Sequence, residues 1–167
     1  MNALARAEKL KHLRGLIDDV HTSGHIKEFF YFSKAGLHLP CGGLVTISGV
    51  GKTTKAVEFL AECSRSTEIA WIEEKLSIYP CAILQHEVAL NKILFAEGGK
   101  NTFWTCLQIL KSGLFKIVII SASFYEAGIL RKLQLAAEKA NALVILLSEK
   151  PISSWTIALD VPTRRMR

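Results

Sequence analysis

No run in this chain approaches the roughly 18 consecutive apolar residues that a membrane-spanning helix needs, and only 4 of its 167 residues are proline. Solenoid-period repeats and low-complexity tracts are lacking as well, which excludes membrane-spanning helices and fibrous or disordered chains. The first twenty residues carry Arg6, Glu8, Lys9, Lys11, Arg14, Asp18 and Asp19. So charged a segment is no secretory signal, and its acids argue against an organelle transit peptide. The four cysteines, Cys41, Cys63, Cys81 and Cys106, form no C-x-x-C pair and no Cys/His group at zinc-ligand spacing. They read as reduced core residues of a cytoplasmic protein. His21 and His25 stand four apart, but Gly24 interrupts them and no carboxylate accompanies them, so no metal site is expected. A G-x-S-x-G nucleophile turn is missing too, and nothing places a base beside a nucleophile.

What is present suits one ordinary globular domain. Half of the residues are hydrophobic and 22% are charged, and a chain of this length buries roughly 70% of its unfolded surface. Twenty-one Lys plus Arg against fifteen Asp plus Glu leave a net charge of +6, a sign that suits an acidic partner without demanding one. Leu10, Leu13, Leu16, Ile17 and Val20 share one stripe of an amphipathic helix that ends before residues 21–24. We read 1–35 as an N-terminal helical appendage and 36–167 as an α/β core with a short basic tail.

From Leu39 onward β-rich runs alternate with helical ones. Strands are expected at 44–47, 69–72, 92–95, 117–120 and 143–147, and helices at 52–63, 80–89, 102–112 and about 125–140. Such alternation predicts a mostly parallel sheet flanked by helices on both faces. The runs at 117–120 and 143–147 are apolar without alternation, as central strands covered on both faces must be. Ligands of such sheets bind beyond the carboxyl ends of the strands.

The first of those ends carries Ser48-Gly49-Val50-Gly51-Lys52-Thr53-Thr54 and opens a helix. Glycines, helix-start amides and a lysine are what a phosphate loop requires. A Walker A loop, however, places four residues between its glycines, and here only Val50 intervenes. Gly49, Gly51, Lys52, Thr53 and Thr54 are therefore the candidate phosphate-binding residues of a shortened loop that still suits a simple anion. After the strand at 69–72 come Glu73 and Glu74, weak candidates for polarising water. The run after Ile120 is Ser121-Ala122-Ser123, with no aspartate for magnesium. The expected cofactor is none, with ATP and magnesium as the alternative.

Leu39 to Gly49 followed by Gly51-Lys52-Thr53-Thr54 resembles the entry into the phosphate loop of the bacterial recombinase RecA, and Ile117 to Ile120 resembles its Walker B strand. Leu130 to Leu133 and Asn141 to Ile145 are similar to its next helix and strand. The closer resemblance is to the RecA-like accessory proteins of the ImuA and SulA type. Trp71-Ile72, Tyr79-Pro80, the helix from Trp104 to Gly113 and the run Arg131 to Ala137 carry it. It spans about 36–150.

That resemblance implies a RecA-like core without recombinase activity. Where RecA has long DNA-gripping loops, this chain has only Ser121 to Glu126 and Ser148 to Trp155. The implied role is accessory to error-prone translesion synthesis in the DNA-damage (SOS) response. Its implied partners are an ImuB-type polymerase-like protein, an error-prone polymerase and RecA itself. Contact surfaces would be the N-terminal helix, which also suits self-association, and the tail from Trp155. Arg164, Arg165 and Arg167 in that tail, with Lys111, Lys116, Arg131, Lys132 and Lys139, suit non-specific phosphate contact or a partner. Alternatives are a nucleotide-switched ATPase using Lys52, Thr53 and Glu73 or Glu74, and a SulA-like inhibitor of cell division.

Overall fold

The computed structural model describes residues 28–121, 125–150, 152 and the backbone of 157–160. The amphipathic stripe from Leu10 to Val20, Trp155 and the basic residues Arg164, Arg165 and Arg167 lie outside the described residues.

A hairpin leads the described chain. β1 (Phe29–Phe32) pairs antiparallel with β2 (Leu37–Pro40). The sequence reading includes residues up to 35 in a helical appendage, but the aromatic run Phe-Phe-Tyr-Phe prefers a pleated, half-buried surface. The division placed at residue 35 falls inside this hairpin. Next come β3 (Leu44–Ser48), α1 (Lys52–Cys63), β4 (Ile69–Glu73), α2 (Pro80–Leu84) and β5 (Ile93–Glu97). They are followed by α3 (Thr102–Ser112), β6 (Ile117–Ser121), α4 (Ala127–Ala140), β7 (Leu143–Ser148) and β8 (Ile157–Asp160). The helix expected over 80–89 shortens to α2. Glu87 adopts a positive φ of 62°, which ends helical geometry, and the Ala89 N–H donates instead to Ser64 Oγ at 3.0 Å. β8, read from sequence as part of a tail, pairs in register with β3.

β3 to β8 form one parallel sheet in the order β5-β4-β6-β7-β3-β8. β6 and β7 are central, as their unbroken apolar runs predict, and Ile117 to Ile120 and Leu143 to Leu147 are all buried. Strand alternation sends the side chains to two cores. Val45, Ile47, Trp71, Ile119 and Ile145 pack with Val57, Phe59 and Leu60 of α1, Ile83 of α2 and the hairpin's Phe32 and Leu39. Ala70, Ile72, Val118, Ile120, Val144 and Leu146 pack with Cys106 and Leu110 of α3 and Leu130 and Leu133 of α4. The hairpin is sealed to α1 by the Phe32 and Phe59 rings, 5.4 Å apart, and by Ser33, whose N–H and hydroxyl both donate to Glu62. The helices end by rule: α3 at Gly113 and α4 at Asn141, both left-handed.

Candidate functional site

Parallel register lines up the carboxyl ends of the strands into one polar edge. Glu97, Glu73 and Ser121 are register partners along it, and Ser48 stands between Ser148 and Asp160. The glycine turn leaves this edge from Ser48. Gly49 and Gly51 have φ of 89° and 88°, values that an L side chain adopts only under strain, and the Lys52 N–H closes the turn onto Gly49 O at 3.4 Å. Lys55 N–H to Gly51 O, 3.0 Å, is the first full helical bond, so the Thr53 and Thr54 amides at the start of α1 have no intrahelical acceptor.

Lys52 does not stand alone. Its ammonium forms an ion pair with Glu149, which follows β7. The lysine side chain is 17% exposed and its partner 85%, so the ammonium meets a carboxylate that stays largely in water.

Beside the start of α1 opens a cleft of about 320 Å³, lined by Thr53, Thr54, Glu73, Ser77, Tyr79 and His86 above an apolar floor that includes Val57 and Ile83. Glu73, 6% exposed, is held by donors on both oxygens. Trp71 Nε1 donates to Oε1 at 2.9 Å, and the Ser77 N–H and hydroxyl donate to Oε2 at 2.5 and 3.0 Å. Glu74 is exposed and does not line the cleft; its carbonyl accepts the Gly99 N–H at 2.9 Å. Of the two carboxylates singled out from sequence, the fold brings only Glu73 to Thr53 and Thr54. Ser77 and His86 were not named as site residues from the sequence, and Tyr79 entered only through the Tyr79-Pro80 resemblance, although both Ser77 and Tyr79 lie beyond the carboxyl end of β4 where ligands are expected. A Tyr-Pro pair at the mouth of a short helix was the available signal, Pro at the first helical position being a start marker.

A magnesium-bound triphosphate asks for a wrap of successive amides, an available lysine and a carboxylate at the end of a neighbouring strand. Here one residue separates the glycines, Lys52 is paired, and β6 ends on Ser121, while β4 ends on Glu73 and β8 on Asp160. Among the described residues no three His, Cys, Asp or Glu side chains gather as metal ligands.

The geometry can be set beside known structures. SulA from Pseudomonas aeruginosa superposes with a TM-score of 0.54 at 16% identity, covering 65% of this chain and 97% of that one. The RadB recombinase gives 0.52 at 18% identity, covering 69% of this chain and 64% of that one. The fold is RecA-like. No family model and no curated protein matches the sequence.

Residues 122–126 join β6 to α4, and residues 149–156 join β7 to β8. Among the described residues no helix is long and apolar enough to cross a membrane.

Proposed function

We propose that the protein is a RecA-like accessory protein of the bacterial DNA-damage response that works by protein contact and supports error-prone translesion synthesis. It does not exchange strands or turn over nucleotide efficiently. One observation carries the reading: the single-residue glycine turn whose lysine, Lys52, is paired with Glu149. A loop built to hydrolyse a triphosphate gains from a lysine aimed at phosphate, and a carboxylate at that position opposes the same charge. The short connections after β6 and β7 agree, because gripping a DNA strand takes long segments. The implied partners are an ImuB-type polymerase-like protein, an error-prone polymerase and RecA.

Calorimetric titration with ATP and magnesium, on the natural chain and on Lys52→Ala, tests the nucleotide half. No saturable heat is expected in either. Saturable binding lost in Lys52→Ala would overturn that half and restore the nucleotide-switched ATPase. Affinity purification from a bacterium under DNA damage tests the partner half, with a polymerase of the translesion class expected. The similarity covering 97% of SulA favours a second reading, a SulA-like inhibitor of cell division. Copurification of the tubulin-like division protein in place of a polymerase would select it.

A further inference from the structure

Lys55 with Glu58, Arg65 with Glu87, and Lys92 with Glu68 form ion pairs, as do Lys52 and Glu149. None of these involves α3 or α4. Lys111 on α3 and Lys132 and Lys139 on α4 are exposed and, among the described residues, enter no ion pair. Two exposed acids accompany α4: Glu138, which accepts the Gln134 amide at 2.7 Å, and Glu126, which precedes the helix. Among the described residues neither forms an ion pair with these lysines, and the lysines outnumber them.

Exposed apolar side chains share these two helices with the cations. Trp104, Gln108 and Lys111 follow one another at i, i+4 and i+7, so they form one outward stripe of α3. Lys132, Leu135 and Lys139 do the same on α4 at i, i+3 and i+7. Trp104 is 61% exposed and Leu135 55%, although α3 and α4 pack side by side over the sheet with their own apolar faces already buried. An exposed tryptophan is the kind of apolar anchor that interfaces use, and charged side chains on the same helices suit the polar rim of such a contact.

We propose that this α3–α4 face docks an acidic amphipathic helix of a partner protein, its apolar stripe on Trp104 and Leu135 and its carboxylates on Lys111, Lys132 and Lys139. Charge argues for that occupant over the others. The N-terminal stripe of this chain is flanked by Arg6, Lys9, Lys11 and Arg14 against Glu8, Asp18 and Asp19, so it offers no acidic excess. A second copy carries the same +6. A nucleic acid would use the lysines and gain little from Leu135. The inference rests on the reading of the chain as a protein-contact module and adds the surface and the partner's chemistry.

The test uses fluorescence anisotropy with three labelled probes: a synthetic helical peptide bearing a leucine stripe flanked by glutamates, the same peptide with lysines for the glutamates, and a single-stranded oligonucleotide. The acidic peptide is expected to bind, to weaken with salt, and to lose about tenfold or more in affinity to the Lys132→Glu/Lys139→Glu variant. Separate losses are expected in Trp104→Ala and Leu135→Ala. All of these positions are exposed, and circular dichroism checks that each variant folds. Failure of the acidic peptide to bind, or equal binding by the charge-reversed variant, overturns the proposal. So does oligonucleotide binding that needs the lysines and ignores Trp104→Ala and Leu135→Ala, which would make the face a nucleic-acid surface. A polymerase that copurifies equally with the charge-reversed variant removes this face and leaves the accessory role standing. Peptide binding that follows the variants, with no polymerase copurifying, does the reverse.

Discussion

The ammonium of Lys52 and the carboxylate of Glu149 meet across the carboxyl edge of the sheet, joining the first turn of α1 to the segment after β7. The glutamate is largely in water, and exposed pairs of this kind contribute only about 0–1 kcal/mol. Removing it therefore costs little stability and changes the charge met by an anion. Glu149→Gln is expected to melt within a few degrees of the natural chain. It is also expected to bind inorganic phosphate several-fold more tightly than the natural chain, read by calorimetry, because Lys52 and the Thr53 and Thr54 amides are then unopposed. Equal phosphate affinity would show that the turn, rather than the ion pair, limits the site.

Glu73 presents the opposite case. Its buried carboxylate satisfies the Trp71 indole and two groups of Ser77, so Glu73→Ala strands a buried N–H in the core. Leaving one such group unmet costs about 1–3 kcal/mol, and for a chain of this size each kcal/mol lowers the melting temperature by about 2–4 °C. Thermal unfolding of Glu73→Ala is expected to fall accordingly, with Glu74→Ala unchanged. A Glu73→Ala protein that melts like the natural chain would return Glu73 to the role of a carboxylate free to activate water.

The alternation of helix and strand from Leu44 to Leu147 was legible because its apolar runs have the lengths and periods that a doubly covered sheet imposes. α1 and α3 begin and end where the pattern places them. The hairpin was not legible, since Phe29 to Phe32 precedes every strong strand and owes its form to packing on Phe59 of α1. β8 was hidden for a similar reason: four residues gain their strand character from lying beside β3. At the site, residue spacing exposed the shortened loop. It could not announce Glu149, which lies 97 residues from Lys52 and meets it only through the β3–β7 pairing.

Phe32 ties the hairpin to the core, being 1% exposed and stacked edge-on against Phe59. Truncating a buried phenylalanine costs about 3–5 kcal/mol, so Phe32→Ala is expected to lower the urea midpoint sharply, whereas Phe29→Ala, at a 55% exposed position, leaves it nearly unmoved. A chain beginning after residue 35 loses the same anchor and is expected to unfold. One lacking residues 1–20 is expected to keep the cooperative transition while losing association with itself or a partner. Unchanged association after that deletion would remove the N-terminal helix from the contact surfaces.

The cysteines give the pH dependence its sign. Burial pushes the Cys63 and Cys106 thiols up from 9.0 to about 12 and raises Cys41 by the same cause, whereas Cys81 is exposed. A raised folded-state pKa means that the unfolded chain releases protons first, above about pH 9. The stabilisation is complete below that pH and is lost as pH climbs toward about 12. Urea unfolding is expected to show falling stability from about pH 9 upward, and replacing Cys106 by alanine should flatten that slope at a separate cost in packing. Under native conditions near neutral pH, iodoacetamide should modify Cys81 quickly and the three buried thiols only through unfolding. Rapid labelling of Cys106 in the folded protein would contradict its burial between α3 and the sheet.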